Sequence, residues 1–136
     1  MPTETDLVRA FKKEVHGNFV KITPGPWGNS GEPDLIGAIE ARAVAMEAKK
    51  ASIEMDGDFL VITSERPLTP IQAAALRRWS QYPPFMACVL LMGNFNGRRH
   101  YFIYQCPPDV QEGRVQLTLA PQTWDKLKHA GPVFWI

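Results

Sequence analysis

The chain has 136 residues, a formal net charge of +1 and 45% hydrophobic residues. That is room for one domain with one core and too little for a catalytic domain beside a separate reading module. Near-neutral charge excludes binding of nucleic acid by bulk electrostatics, and two cysteines exclude a disulfide framework.

Cys88 and Cys106 sit in or beside apolar runs and are expected as buried free thiols in a reducing compartment. His16, His100 and His129 are far apart, so no Cys/His metal site is expected. The N-terminus lacks an apolar signal region, and the longest apolar run, FMACVLLM (85–92), is too short to span a bilayer. A soluble, cytoplasmic protein without a membrane partner is expected. Basic residues come in adjacent pairs, Lys12–Lys13, Lys49–Lys50, Arg77–Arg78 and Arg98–Arg99, while Glu54, Asp56, Asp58 and Glu65 crowd one stretch. Segregated charge of this kind gives either a basic face or four solvated surface pairs.

Residues 4–15 read as a helix with Leu7, Val8, Phe11 and Val15 on one stripe. Glu4 falls in the middle of that stripe, so a carboxylate points inward with the apolar set, unless it serves only as a first-turn acid favoured by the helix dipole. FVKIT (19–23) reads as a short strand, and PGPWGNSGEP (24–33) as a loop. DLIGAIE (34–40) and RAVAMEAKK (42–50) read as two strands joined by a tight turn. Alternation in the second sets Glu47 and Lys49 side by side on one face. The stretch 51–66 is long and acidic, with FLVIT (59–63) as a candidate strand.

LTPIQAAALRRWSQY (68–82) reads as a helix with Thr69 as N-cap, Pro70 in its first turn and Gln72 completing a capping box; Pro83–Pro84 ends it. FMACVLLMGNF and RRHYFIYQC flank NFNG as a hairpin, and TWDKLKHAG (123–131) reads as a last short helix. The order of helix, strands, helix and strands gives an α/β domain with a mixed sheet, spanning residues 1–136.

Buried charges must be satisfied by each other, by solvent or by an ion. If the strands carrying Asp34 and Glu47 are neighbours, two carboxylates and the Lys49 ammonium converge at one end of the sheet. Asp34 and Glu47, with the Ala48 carbonyl as a third oxygen, form a donor set suited to Mg2+. Lys49 could then contact the attacking water or the charge developing on phosphate. Pro-Asp alone, or Glu-x-Lys alone, is a weak motif; order and spacing make the combination more specific.

GEPDLIG, the 13 residues from Asp34 to Glu47, VAMEAKK and LTPIQ opening a helix together resemble the PD-(D/E)xK nuclease superfamily, and within it VRR-NUC and Holliday-junction-resolvase-like domains. The resemblance covers about residues 4–92. It implies a restriction-endonuclease-like core, a central mixed sheet flanked by helices, and a Mg2+- or Mn2+-dependent endonuclease. Asp34 and Glu47 match the metal-binding acids, Lys49 the motif lysine, Glu4 the acid many members carry on the first helix, and Gln72 the glutamine that often follows the core motif. For Gln72 the capping role is an equal alternative.

The substrate implied is DNA, branched rather than sequence-marked, in recombination or repair, within a cell or the host of a phage or virus. Lys50, Lys21, Arg77 and Arg78 are the expected phosphate contacts, and Trp27 could stack on an unpaired base. The alternatives are an inactive nuclease-fold DNA-binding module, or a restriction-type or RNA-directed nuclease with the same chemistry. Two symmetric cuts would call for a homodimer. The hairpin at 85–106 and the GPVFWI tail are candidate interface material, unless the tail folds back over the chain's own core.

Overall fold

The fold is taken from a computed structural model that describes residues 3–15, 17–21, 33–129 and 133–136, with the side chains of 17–21 and 127–128 left aside. The chain is mixed α/β. In order it forms α1 (Glu4–Glu14), β1 (Gly17–Lys21), β2 (Leu35–Ile39), β3 (Arg42–Asp56), β4 (Phe59–Ser64), α2 (Pro70–Trp79), β5 (Met86–Phe95), β6 (Arg98–Gln105), β7 (Gln116–Leu119), α3 (Pro121–His129) and β8 (Val133–Trp135).

The sheet runs β1-β2-β3-β5-β6-β8, and a branch carries β4 and then β7 on β3. β1, β2 and β3 are an antiparallel meander; β5 lies parallel to β3 after the α2 crossover, and β8 lies parallel to β6. β5 is buried on both faces from Ala87 to Gly93, as its unbroken apolar sequence requires of a central strand.

Local chemistry sets the joints. Asp6 N donates to Thr3 Oγ1 and Thr3 N to Asp6 Oδ2, both at 3.1 Å, closing the capping box of α1. The β5–β6 hairpin turns on Asn96 and Gly97, both at positive φ, which suits a tight primed turn. The β2–β3 hairpin turns on Glu40 and Ala41, also at positive φ although neither is glycine. The Trp135 indole N–H donates to Glu40 at 3.1 Å and helps hold that turn.

The sheet has a hydrophobic cluster on each face. On one, α1 buries Leu7, Val8 and Phe11 against Val44, Met46 and Ala48 of β3 and Leu90 of β5. On the other, Leu76 of α2 and Trp124 of α3 cover Ala51 and Ile53 of β3 with Val89, Leu91 and Phe102. Cys88 and Cys106 are buried free thiols, as expected.

Two elements differ from the sequence reading, and one choice it left open is decided. β3 does not stop at residue 50 but runs to Asp56, because alternation continues through Ile53 while Glu54 and Asp56 take the solvent face. The acidic stretch is therefore a hairpin with β4. β7, four residues long, has too little pattern to be read from sequence. Of the GPVFWI tail, Val133–Trp135 form the edge strand β8, with Phe134 packed on Phe102, which is the folded-back alternative given above; Gly131 and Pro132 lie outside the described residues. The loop expected at 24–33, including Trp27, lies outside the described residues except for Pro33. Among the described residues no helix is long and apolar enough to cross a membrane.

Candidate active site at the open edge of β3

The site arises because β3 changes partner. On one edge it pairs with β2 up to Leu35↔Met46, and with β4 from Ala51↔Ser64 onward. Between those points residues 47–50 have no strand on that edge, while on the other they remain paired with β5. Backbone groups left open by a strand exchange need other partners. Here carboxylates supply them: Ala48 N donates to Asp34 Oδ2 at 3.0 Å, and Lys50 N donates to Glu4 Oε2 at 3.3 Å. Glu65 N donates to the Lys50 carbonyl at 2.9 Å. By strand alternation the Ala48 carbonyl faces the same edge as its own N–H.

Asp34 reaches this gap because it precedes β2 directly, and β2 in antiparallel register delivers it opposite Glu47. Glu47 and Lys49 project on the α2 face of β3. Both are charged residues at core depth, 4% and 5% exposed. Gln72 Nε2 donates to Glu47 Oε1 at 2.9 Å, and Gln72 Oε1 accepts from Thr69 N at 3.0 Å. The two readings of Gln72 are therefore not alternatives. One end of the amide caps α2 while the other fixes the Glu47 carboxyl.

Burial pushes the Glu47 carboxyl up to about 9, reinforced by its hydrogen bond to Asp34 and by the Asp34 charge; Lys49 opposes the rise without cancelling it. A carboxyl raised that far keeps its proton near neutral pH. Two apposed carboxyl groups beside a carbonyl edge are the hard oxygen donors that a divalent cation of the magnesium type prefers, and such a cation would displace the Glu47 proton. Among the described residues no three Asp, Glu, His or Cys side chains are already gathered around one point. Glu4 stands beside the pair with its carboxylate turned to the Lys50 amide.

An open cleft of about 750 Å³ lies between the first turns of α1 and α2. Glu4, Lys49, Lys50, Arg66, Thr69 and Gln72 line it, whereas Asp34 and Glu47 do not. Lys50 Nζ stands 3.8 Å from Glu65 Oε2.

The structure thus brings together Asp34, Glu47, Ala48, Lys49, Lys50, Glu4 and Gln72. Arg77 does not join them: its Nη1 donates to the Val110 carbonyl at 2.7 Å, on the far part of α2, and neither Arg77 nor Arg78 lines the cleft. The expected contact through Lys21 falls on a side chain outside those described. Arg66 was missed from sequence, and so was Glu65. Both lie in the acidic stretch whose path was open, and only the β3–β4 pairing shows that it returns to the site.

No family model and no curated protein matches the chain.

Proposed function

We propose that the protein is a metal-dependent nuclease with a restriction-endonuclease-like core, hydrolysing phosphodiester bonds of branched DNA. The observation that carries this reading is the joining of Asp34, Glu47, Lys49 and Gln72 at the partner exchange of β3. A helix, an antiparallel three-stranded meander, the hairpin strand β4, a second helix and a strand parallel to β3 underlie the site, which supports the central mixed sheet flanked by helices that the resemblance implies.

Asp34, Glu47 and the Ala48 carbonyl would hold Mg2+ or Mn2+. The bound cation supplies a more acidic water and charge neutralisation at phosphate. Asp34 is held in place by the Ala48 amide and Glu47 by the Gln72 amide, so neither has to reorganise as charge shifts. Lys49, buried beside Glu47, places a cation where a water adds to phosphorus and one ester P–O bond breaks, with the leaving oxygen taking a proton. Glu4 keeps the Lys50 amide satisfied and so fixes the open edge.

A homodimer is proposed for paired cuts on a junction. The tail provides no argument for it, because Val133, Phe134 and Trp135 pair into the chain's own sheet as β8. The test is cleavage of four-way junction, flap, linear duplex and single strand, with Mg2+ and with EDTA. Cutting that requires the cation and is lost in Asp34→Asn supports the reading. Cutting unaffected by EDTA removes it.

A further inference from the structure

The cleft holds three cations, Lys49, Lys50 and Arg66, against two carboxylates, Glu4 and Glu65. They are not equivalent. Glu4 is occupied by the Lys50 amide, and Glu65 pairs with Lys50 across 3.8 Å. Lys49 is buried and belongs to the reacting end. Arg66 is exposed on the cleft wall and, among the described residues, makes no ion pair or hydrogen bond. It cannot swing far: Glu65 N is tied to the Lys50 carbonyl on one side, and Leu68 exchanges backbone hydrogen bonds with Gly113 on the other. Pro67 between them restricts the backbone further. Thr69, one of the cleft residues, opens α2 just beyond, so the positive end of a ten-residue helix adds its field to the same wall.

A planar, charged fork on a restrained segment, with an adjacent lysine whose ion pair among the described residues is to an exposed acid, suits a tetrahedral oxyanion. We propose that Arg66, with Lys50, forms a phosphate-anchoring subsite at the mouth of the cleft, which holds a nucleic-acid phosphate other than the one cleaved. It rests on the nucleic-acid reading given above for the same cleft. Glu65 is its competitor: a phosphate that reaches Lys50 must displace the Glu65 carboxylate, so weakly held anions are turned away. The phosphate can come from an internal diester or a terminal monoester, and Arg66 serves both.

The subsite is tested apart from cleavage by following backbone amide shifts of the full chain on titration with inorganic phosphate. Saturable shifts at residues 65–72 that vanish in Arg66→Gln and persist in Arg66→Lys are expected. Shifts unchanged in Arg66→Gln, shifts confined to Lys12–Lys13 or Arg98–Arg99, or no shifts at all would overturn it. Oligonucleotide binding in EDTA then identifies the source. Arg66→Gln should lower the slope of log affinity against log salt by about 0.7 for single strands or about 0.9 for duplex, and Glu65→Gln should tighten binding. Equal loss for 5′-phosphorylated and 5′-hydroxyl strands assigns an internal diester; loss confined to the phosphorylated strand assigns a terminus. Phosphate binding at Arg66 without any oligonucleotide binding would sink both the nuclease reading and the nucleic-acid subsite, leaving an anion site only. An unchanged salt slope in Arg66→Gln would sink the subsite and leave the nuclease reading standing.

Discussion

Glu47 carries two states of the site. Its carboxyl, pushed up to about 9 from 4.5, keeps a proton in the folded chain that the unfolded chain has lost. Its contribution to stability is therefore complete below about pH 4.5 and is lost as pH rises toward about 9. Metal-free protein should show this decline in denaturant melts, and Glu47→Gln should flatten it. Binding of Mg2+ must expel the proton, so affinity should rise by about tenfold per pH unit through neutrality. Calorimetry at pH 7 in two buffers of different ionisation enthalpy should find close to one proton released per cation; none released would count against a cation between Asp34 and Glu47. Lys49 has no ligand role in an oxygen-donor site. Lys49→Ala should slow the single-turnover rate by about 2.7–4 kcal/mol, as loss of a positioned charge contact does, and excess Mg2+ should not restore it. Full rescue by Mg2+ would make Lys49 a support for the ligands instead.

Elements place these residues, and they were unevenly legible in the sequence. α1 could be read from its apolar stripe, Leu7, Val8, Phe11 and Val15, and α2 because Thr69 with Gln72 announces its start; the Thr3–Asp6 cap of α1 is seen only in the structure. The pairing of Asp34 with Glu47 followed from a two-residue turn and antiparallel register. The continuation of β3 past Lys50 did not follow, since residues 51–56 alternate apolar with acidic and give no sign of which strand they meet. Arg77 shows a similar limit: helical phase does not reveal that a carbonyl at Val110 takes its guanidinium. Where β3 and β5 run together, Gly93 is a packing requirement. A Cβ there would stand 2.6 Å from the Ala51 carbonyl, a backbone atom that cannot rotate away. Gly93→Ala should cost on the order of 1–3 kcal/mol, seen as a lower urea midpoint with an unchanged slope. An unaltered midpoint would mean the two strands part more easily than their register suggests. Gln72→Ala should lose both the cap and the Glu47 contact, so it should lower stability and cleavage together, whereas Thr69→Ala should lower stability alone, by about 1 kcal/mol.

At the scale of the whole molecule, the eight-stranded sheet with helices on both faces presents one cleft where β3 is open, and charge gathers there although the chain is nearly neutral. On the proposed reading a single such cleft would cut one strand, so symmetric resolution of a junction would call for two copies. Light scattering at micromolar protein, alone and with a junction, should give the dimer mass; a monomer in both conditions, with nicking of one strand only, would leave a nicking or flap nuclease. The most direct test of the central claim is single-turnover cleavage of a labelled four-way junction by wild type and by Asp34→Asn, each with Mg2+ and with EDTA. Cutting by the wild type in Mg2+ only, and none by Asp34→Asn although it still binds the junction, is the expected result. Cutting by Asp34→Asn at the wild-type rate in saturating Mg2+ would contradict it.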